Sequence, residues 1–301
     1  MNQLPKVIIN VKLSQVASYL GAPFIGEDIN LDGFNLTNRD IEADSVISYC
    51  ATEKYFHQAQ KNSKVKALII PPNLYNILSD EDKNNFSLIV VEEPEWAFYS
   101  AFIDTAKKLC LKSSYVSSIP SDVIISKGTV VEDGVMLGHN VVIGSNSVIK
   151  AGSIIGNNVT IGNCSVIGGE GFQLIKDDKG FSHAIPHVGR TYIGDNVFIG
   201  DNTTISKSLF EGYTVVENNV KIDNHCHVAH NCYIGSNSVL TANVTLFGSS
   251  IIGKNVWLSP CSSVMNRVKV GDNAMVYAST FVMRNVKPGD KVFGIPANKI
   301  D

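Results

Sequence analysis

The chain has 301 residues, 44% of them hydrophobic and 18% charged, with a formal net charge of −3. That length accommodates two domains, and a charge this close to neutral gives no electrostatic case for nucleic acid or an anionic membrane as the main partner. Met1–Lys12 lacks the basic-then-apolar pattern of a signal peptide, and no apolar run approaches the ~20 residues that span a bilayer.

Residues 1 to about 112 read as mixed α/β. Helical spacing is expected over Leu13–Leu20, stopped by Gly21, over Lys54–Asn62, and over Glu95–Leu109 with Phe98, Phe102 and Ala106 on one face. Short apolar runs predict strands at Ser45–Cys50, Ala67–Ile70 (stopped by Pro71-Pro72) and Leu88–Val91. Lys112–Ser121, containing Ser and Pro, reads as a junction.

From Ile119 onward an apolar residue recurs every six positions. One run goes from Ile119 to Ile167, a short one is Ile193, Ile199 and Ile205, and a third goes from Val216 to Val282; together they hold 24 positions in register. A small or β-branched residue stands two positions before most of them, and Gly and Asn follow. A period of six is neither the 3.6 of a helix nor the 2 of an ordinary strand. It fits short strands joined by tight corners where Gly and Asn supply φ > 0, the pattern of a hexapeptide β-solenoid. Three hexads per coil make eight coils in all, stacked at ~4.8 Å. The domain boundaries that follow are 1–112 for the α/β domain, 113–287 for the solenoid and 288–301 for a short tail.

Two breaks interrupt the ladder. Gly168–Arg190 is polar and glycine-rich, cannot supply inward side chains in register, and must leave the prism as an excursion. The step from Ile205 to Val216 falls one position short of two hexads, which predicts a slipped corner that re-aims outward side chains.

The ladder fills the interior, so chemistry must sit outside it. The stretch Lys221-Ile-Asp-Asn-His-Cys-His-Val-Ala-His-Asn231 holds three of the seven histidines. With Ile222 and Val228 inward, Asp223, His227 and His230 project outward or sit at corners. An outward Asp and His one hexad apart can approach across a coil edge, the carboxylate fixing the tautomer of a base. Gly248, three hexads beyond His230, stacks over it with an N–H available to an oxyanion. The same histidines also fit solvated turn residues, or a metal held by His225, His227 and His230, although alternate strand positions point different ways. Tyr49 and Tyr55 stand on a strand-to-helix turn, where a tyrosine pair also fits simple packing. The six cysteines, Cys50, Cys110, Cys164, Cys226, Cys232 and Cys261, have no CxxC spacing, and Cys226 and Cys232 occupy small inward positions. A reducing, cytoplasmic setting follows.

The ladder, the closing Gly294-Ile-Pro-Ala297, the stretch Lys221–Asn231, the excursion from Gly169-Glu-Gly-Phe172 to Ile185-Pro-His-Val-Gly-Arg190, and Asn202-Thr-Thr-Ile205 together resemble the bacterial UDP-3-O-(3-hydroxyacyl)glucosamine N-acyltransferases of lipid A assembly. The resemblance covers most of the chain. It implies a left-handed β-helix and transfer of an acyl group from acyl carrier protein to a UDP-linked amino sugar. His230 would be the general base, Asp223 its support and Gly248 the oxyanion donor. Tyr49 and Tyr55 would grip the uracil beside Thr52, which replaces the family's Asn, with Asn224 and Asn231 as further substrate contacts. Arg267 stands where the family has a second histidine; it cannot act as a base but can hold phosphate or donor. No metal or tightly held cofactor is implied. A homotrimer with sites between subunits is expected, since flat solenoid sides bury surface by association.

Three alternatives remain at this level. An acyl-CoA-dependent N-acyltransferase could act on a UDP- or dTDP-linked amino deoxysugar for O-antigen or capsule. A metal-dependent hydratase resembling γ-type carbonic anhydrase would use the same scaffold, and a silent binding module would hold the nucleotide sugar without turnover.

Overall fold

The computed structural model describes residues 4–5, 8–39, 41, 43–109, 115–294 and 296–300. Cys110, Lys112–Ser114 of the expected junction, and Ile295 lie outside them. The chain divides into two compact units. One comprises Met1–Cys110, Gln173–Val188 and Phe210–Gly212; the other comprises Leu111–Phe172, Gly189–Leu209 and Tyr213–Asp301.

In the first unit, α1 spans Leu13–Leu20 and ends on Gly21, whose φ of 62° is the left-handed cap the sequence signalled. Helix α2 is Glu53–Gln60, α3 is Pro72–Ile77, α4 is Asp80–Asn84 and α5 is Pro94–Lys108. The short α3 and α4 were not expected. Pro72, read as a strand stop, is also the first residue of α3, where its missing N–H costs nothing. A five-stranded sheet carries the strands Val46–Tyr49, Val65–Ile70 and Ser87–Val90 at its centre, all parallel to one another. Phe98 and Phe102 of α5 are fully buried. The excursion supplies a small antiparallel hairpin, Leu174–Lys176 with Ser182–Ala184. Its turn is tied by Asp177, which accepts the Lys179 and Phe181 N–H groups and meets His183 Nε2 at 2.8 Å. Both flanks of the excursion as read from sequence, Gly168–Gly169 and Arg190, instead belong to strands of the second unit.

The second unit is a parallel β-helix with three flat faces of stacked strands. One face runs from Met136–Leu137 to Lys269–Val270, a second from Ile124–Ile125 to Lys291–Phe293, and a third from Val130–Val131 to Phe281–Val282. Strand partners stand three hexads apart in the regular coils, as in His227↔Thr245. The offset widens across the excursion, where Thr160 pairs with Phe198, and across the slipped corner, where Thr204 pairs with His227. Inward residues such as Ile155, Ile193, Ile222, Leu240, Leu246 and Val282 make one continuous buried core, and Cys226 and Cys232 lie in it. Burial pushes both of these thiols up to about 11, so they act as small apolar fillers. Among the described residues, Cys50, Cys164, Cys226, Cys232 and Cys261 are free thiols.

The corners explain the asparagines. Asn140, Asn196, Asn231 and Asn255 have φ of 55°, 58°, 60° and 54°, a region Asn tolerates better than other non-glycine residues. Several of their amides stack into ladders, Asn237 donating to Asn255 at 3.2 Å and Asn255 to Asn273 at 3.1 Å. The hexad register ends at Val282, but the sheet does not: Lys291–Phe293 pairs with Met275–Val276, and Asn298–Ile300 then pairs antiparallel with it.

Leu240 is fully buried and Lys269 faces solvent. Leu240→Ala is expected to cost about 2–5 kcal/mol in denaturant unfolding, and Lys269→Ala less than about 0.5 kcal/mol. Equal losses would mean the hexad phase is wrong.

Candidate functional site

The predicted residues fall into two groups, one in each unit. In the first unit, Tyr49 ends a central strand, and its ring stands against Phe98 and Tyr99 with centroids 5.2 and 6.1 Å away. Its hydroxyl donates to Glu95 Oε1 at 3.0 Å. Burial, then the neighbouring Tyr99 and Glu95, raises the phenol well above its ordinary range, so it is a neutral donor. Tyr55, on the first turn of α2, is exposed, as is Thr52 at the helix N-cap, whose hydroxyl makes no capping bond. An anchored ring, an exposed ring and a hydroxyl that makes no capping bond therefore stand on one strand-to-helix turn.

In the second unit, the strand His227–Val228 has a corner at each end. Asp223 lies at the corner before it and His230 at the corner after it. The two therefore lie a full side of the coil apart, and the carboxylate does not fix the imidazole as the hexad spacing suggested. Asp223 Oδ1 accepts the Asn224 N–H at 2.8 Å instead. Asn224 Oδ1 accepts the Asp201 N–H at 2.6 Å, a rung between coils, so its amide oxygen serves the scaffold. His225 occupies the left-handed position of the earlier corner, with φ 59°. His227 faces outward between the corners, its Nδ1 2.8 Å from Thr204 Oγ1, and desolvation lowers its pKa. The three histidines are thus spread along one side rather than gathered around a point.

His230 is 7% exposed, and Asn231 does the work expected of Asp223. Asn231 Oδ1 lies 2.9 Å from His230 Nδ1. The same oxygen accepts the backbone N–H of Leu209 at 3.1 Å, and Asn231 Nδ2 donates to Ser208 Oγ. A backbone N–H can only donate, so this amide orientation makes Oδ1 the acceptor for the imidazole as well. Nδ1 therefore carries the proton, and Nε2 keeps its lone pair. Asn231 is itself held by its N–H to Thr214 Oγ1 at 2.8 Å.

Nε2 lies against Gly248. A Cβ built on Gly248 would fall 2.7 Å from it, with no backbone atom among the three nearest neighbours. Gly248 is glycine here because the imidazole one coil earlier fills the place of a side chain; a positive φ is not the reason. At other corners the corresponding N–H is taken by a side chain of the adjacent coil, as Asn157 N–H is by Asp195 Oδ1 at 2.7 Å and Lys254 N–H by Asp272 Oδ1 at 2.9 Å. Among the described residues no protein acceptor takes the Gly248 N–H. Arg267, exposed at the corner of the next coil with φ 63°, donates its backbone N–H to the Gly248 carbonyl at 3.2 Å. An imidazole held by Asn231, an amide N–H with no protein acceptor among the described residues and an arginine therefore share one edge of the prism. Sequence reading missed Ser208, Leu209 and Thr214, which hold that edge together; the shortened step from Ile205 to Val216 was the available signal.

Residues 136–169 and 213–248 match the bacterial transferase hexapeptide repeat, and 190–224 match the hexapeptide repeat of succinyl-transferase. The matched repeats lie within the prism and cover less than a third of the chain. A solved UDP-N-acetylglucosamine acyltransferase from Campylobacter jejuni is similar over 62% of this chain and 73% of its own, with 23% identity and a TM-score of 0.50. The enzyme of the same name from Francisella novicida matches over 61% of this chain and 70% of its own, with 26% identity and a TM-score of 0.40. The fold held in common with the Campylobacter protein is the left-handed parallel β-helix. These proteins are not named for the N-acyltransferase that Lys221–Asn231 resembles. No protein of curated function matches the sequence. Among the described residues, no helix is long and apolar enough to cross a membrane.

Gly248→Ala is expected to displace the His230 ring. Its imidazole nitrogen resonances should shift while the melting temperature moves by no more than a few degrees. Unchanged resonances would show that the ring does not rest on Gly248.

Proposed function

We propose that this chain is a hexapeptide-repeat N-acyltransferase that moves an acyl group from a carrier thioester to the amine of a UDP-linked amino sugar. The observation that carries the reading is the His230–Gly248 pair: a lone-pair nitrogen one coil below an uncommitted amide N–H. The attacking amine forms the C–N bond at the thioester carbonyl, and the oxygen that gains charge accepts the Gly248 N–H. Nε2 takes the proton from the amine, and the resulting imidazolium is steadied by Asn231 Oδ1. The same proton then goes to the departing sulfur as the C–S bond breaks, which returns the base to its starting form. Arg267 faces the solvent at the neighbouring corner, where a fixed positive charge suits a phosphate of either substrate.

The outer surface of the third face supports an acyl substrate. Beside Gly248, its outward side chains include Phe247, Met265, Phe281 and Met283 together with Ser263, and the Phe247 and Phe281 rings are 6.3 Å apart. Phe247, Met265 and Met283 are each more than a third exposed. This strip of soft apolar groups begins beside the reacting edge and runs two coils, about 10 Å, along the prism. Tyr49, Tyr55 and Thr52 are the residues proposed to hold the base of the nucleotide. The carrier is acyl carrier protein or coenzyme A, and no metal or resident cofactor takes part. A cytoplasmic homotrimer is the proposed working form. The first face supports it: outward Met136, Ile154, Tyr192, Tyr233 and Ile251 form an apolar column beside a column of glycines that includes Gly156, Gly194, Gly235 and Gly253. Light scattering that gives a monomer at micromolar concentration would exclude the trimer.

Purified protein is assayed with UDP-linked amino sugar and matched acyl donors on acyl carrier protein and coenzyme A. His230→Ala should lower kcat by ~10²–10⁴-fold with the fold intact; near-normal turnover would remove the base from the mechanism. Tyr55→Ala should raise KM for the nucleotide sugar by roughly tenfold, while Met265→Trp should shorten the preferred acyl chain. The donor that supports turnover separates the carrier-protein enzyme from the coenzyme A enzyme.

A further inference from the structure

UDP- and dTDP-linked sugars differ at C2′ of the pentose by one hydroxyl, and the N-terminal unit carries a group suited to read it. Glu95 stands in the first turn of α5, exposed to solvent, between Pro94 and Trp96. Its Oε1 accepts the Tyr49 hydroxyl at 3.0 Å. Among the described residues no lysine or arginine pairs with this carboxylate, and Oε2 takes no hydrogen bond. Trp96 is engaged elsewhere, its ring 5.2 Å from that of His183 in the excursion hairpin. The Tyr49 ring is backed by Phe98 and Tyr99 of the same helix. After burial, the groups that raise its phenol are Tyr99, Glu95 and then Tyr55. The Tyr49 hydroxyl therefore has both the Tyr55 hydroxyl and the Glu95 carboxylate within electrostatic reach.

The Glu95–Tyr49 pair offers acceptors only. An ionised carboxylate only accepts, and the Tyr49 hydroxyl has committed its proton to Oε1, so its oxygen has lone pairs alone to offer. Of the parts of a nucleotide sugar, the diphosphate has no hydrogen to give and is repelled by a carboxylate. The pyrimidine edge has a single N–H, in uracil and thymine alike. The ribose carries two hydroxyls on neighbouring carbons, which match two acceptors that stand one hydrogen bond apart. An acidic residue set against a 2′-hydroxyl is also how dinucleotide-binding folds read ribose.

We infer that Glu95, with the Tyr49 hydroxyl, reads the sugar of the nucleotide: the pair accepts the 2′- and 3′-hydroxyls of a ribose and so selects a UDP-linked over a dTDP-linked substrate. A 2′-deoxyribose supplies one donor of the two, and the carboxylate then gives up water and receives nothing in return. The inference rests on Tyr49 and Tyr55 holding the base, as proposed above. It needs no residue outside the N-terminal unit and no step of the acyl transfer, so binding alone decides it.

Calorimetric dissociation constants for UDP and 2′-deoxy-UDP on the purified protein isolate the hydroxyl, since the base is unchanged. The wild-type protein should prefer UDP by roughly tenfold. Glu95→Ala should bring the two constants to within about twofold of each other, with a melting temperature within a few degrees of wild type because the side chain is exposed. Glu93→Ala removes an equal exposed charge at the helix N-cap, where that side chain makes no capping bond, and should keep the wild-type ratio. Tyr55→Ala should weaken both nucleotides alike. A Glu95→Ala ratio equal to the wild-type one, or the same collapse in Glu93→Ala, would overturn the inference. If UDP does not bind, or binds Tyr55→Ala undiminished, the base site at this turn fails and takes the inference with it. If Tyr55→Ala weakens UDP while the wild type shows no preference for ribose, the inference alone fails.

Discussion

The constraint on which this molecule depends is the stacking of one aliphatic side chain on another once per coil, along three edges at once. Once Ile155, Ile193, Val216 and Ile234 occupy the interior in register, every residue between them has a fixed place: outward on a face or at a corner. The corners must then turn through left-handed backbone, which explains why Asn recurs there and why its amides can pair from coil to coil. A scaffold so repetitive has no interior cavity to offer, so chemistry is confined to its surface. What distinguishes one corner from another is the two or three side chains that depart from the repeat.

At the edge that holds His230, the departures reinforce one another. A histidine fills space above which only glycine fits, and that glycine leaves its amide hydrogen uncommitted. The imidazole is oriented by a neutral amide and not by a carboxylate. A carboxylate would stabilise the imidazolium more strongly and make the nitrogen more basic. The amide sets the tautomer without placing a charge beside the ring.

Most of the solenoid was legible because its signal repeats: 24 apolar positions at one spacing leave a single arrangement. The one-coil relation between His230 and Gly248 followed from the same arithmetic. Within the α/β unit, Gly21 marked the end of α1 and the Phe98–Phe102 pair marked the buried face of α5. The errors came where sequence distance and spatial distance part. Asp223 and His230 are about one hexad apart, but a hexad is a whole side of the triangle. Phe210 and Glu211 look like residues of the solenoid and are counted in the other unit, because a widened offset lets the chain leave and come back. No periodic rule contains that event.

The His230–Gly248 relation also limits how such a protein can change length. Whole turns can be gained or lost from a stacked coil with little penalty, since each layer meets its neighbours through the same repeated contacts. Between positions 230 and 248 that freedom ends. One inserted turn there would carry the amide about 5 Å further from the imidazole, so natural variation in solenoid length should fall to either side of that single layer and spare it.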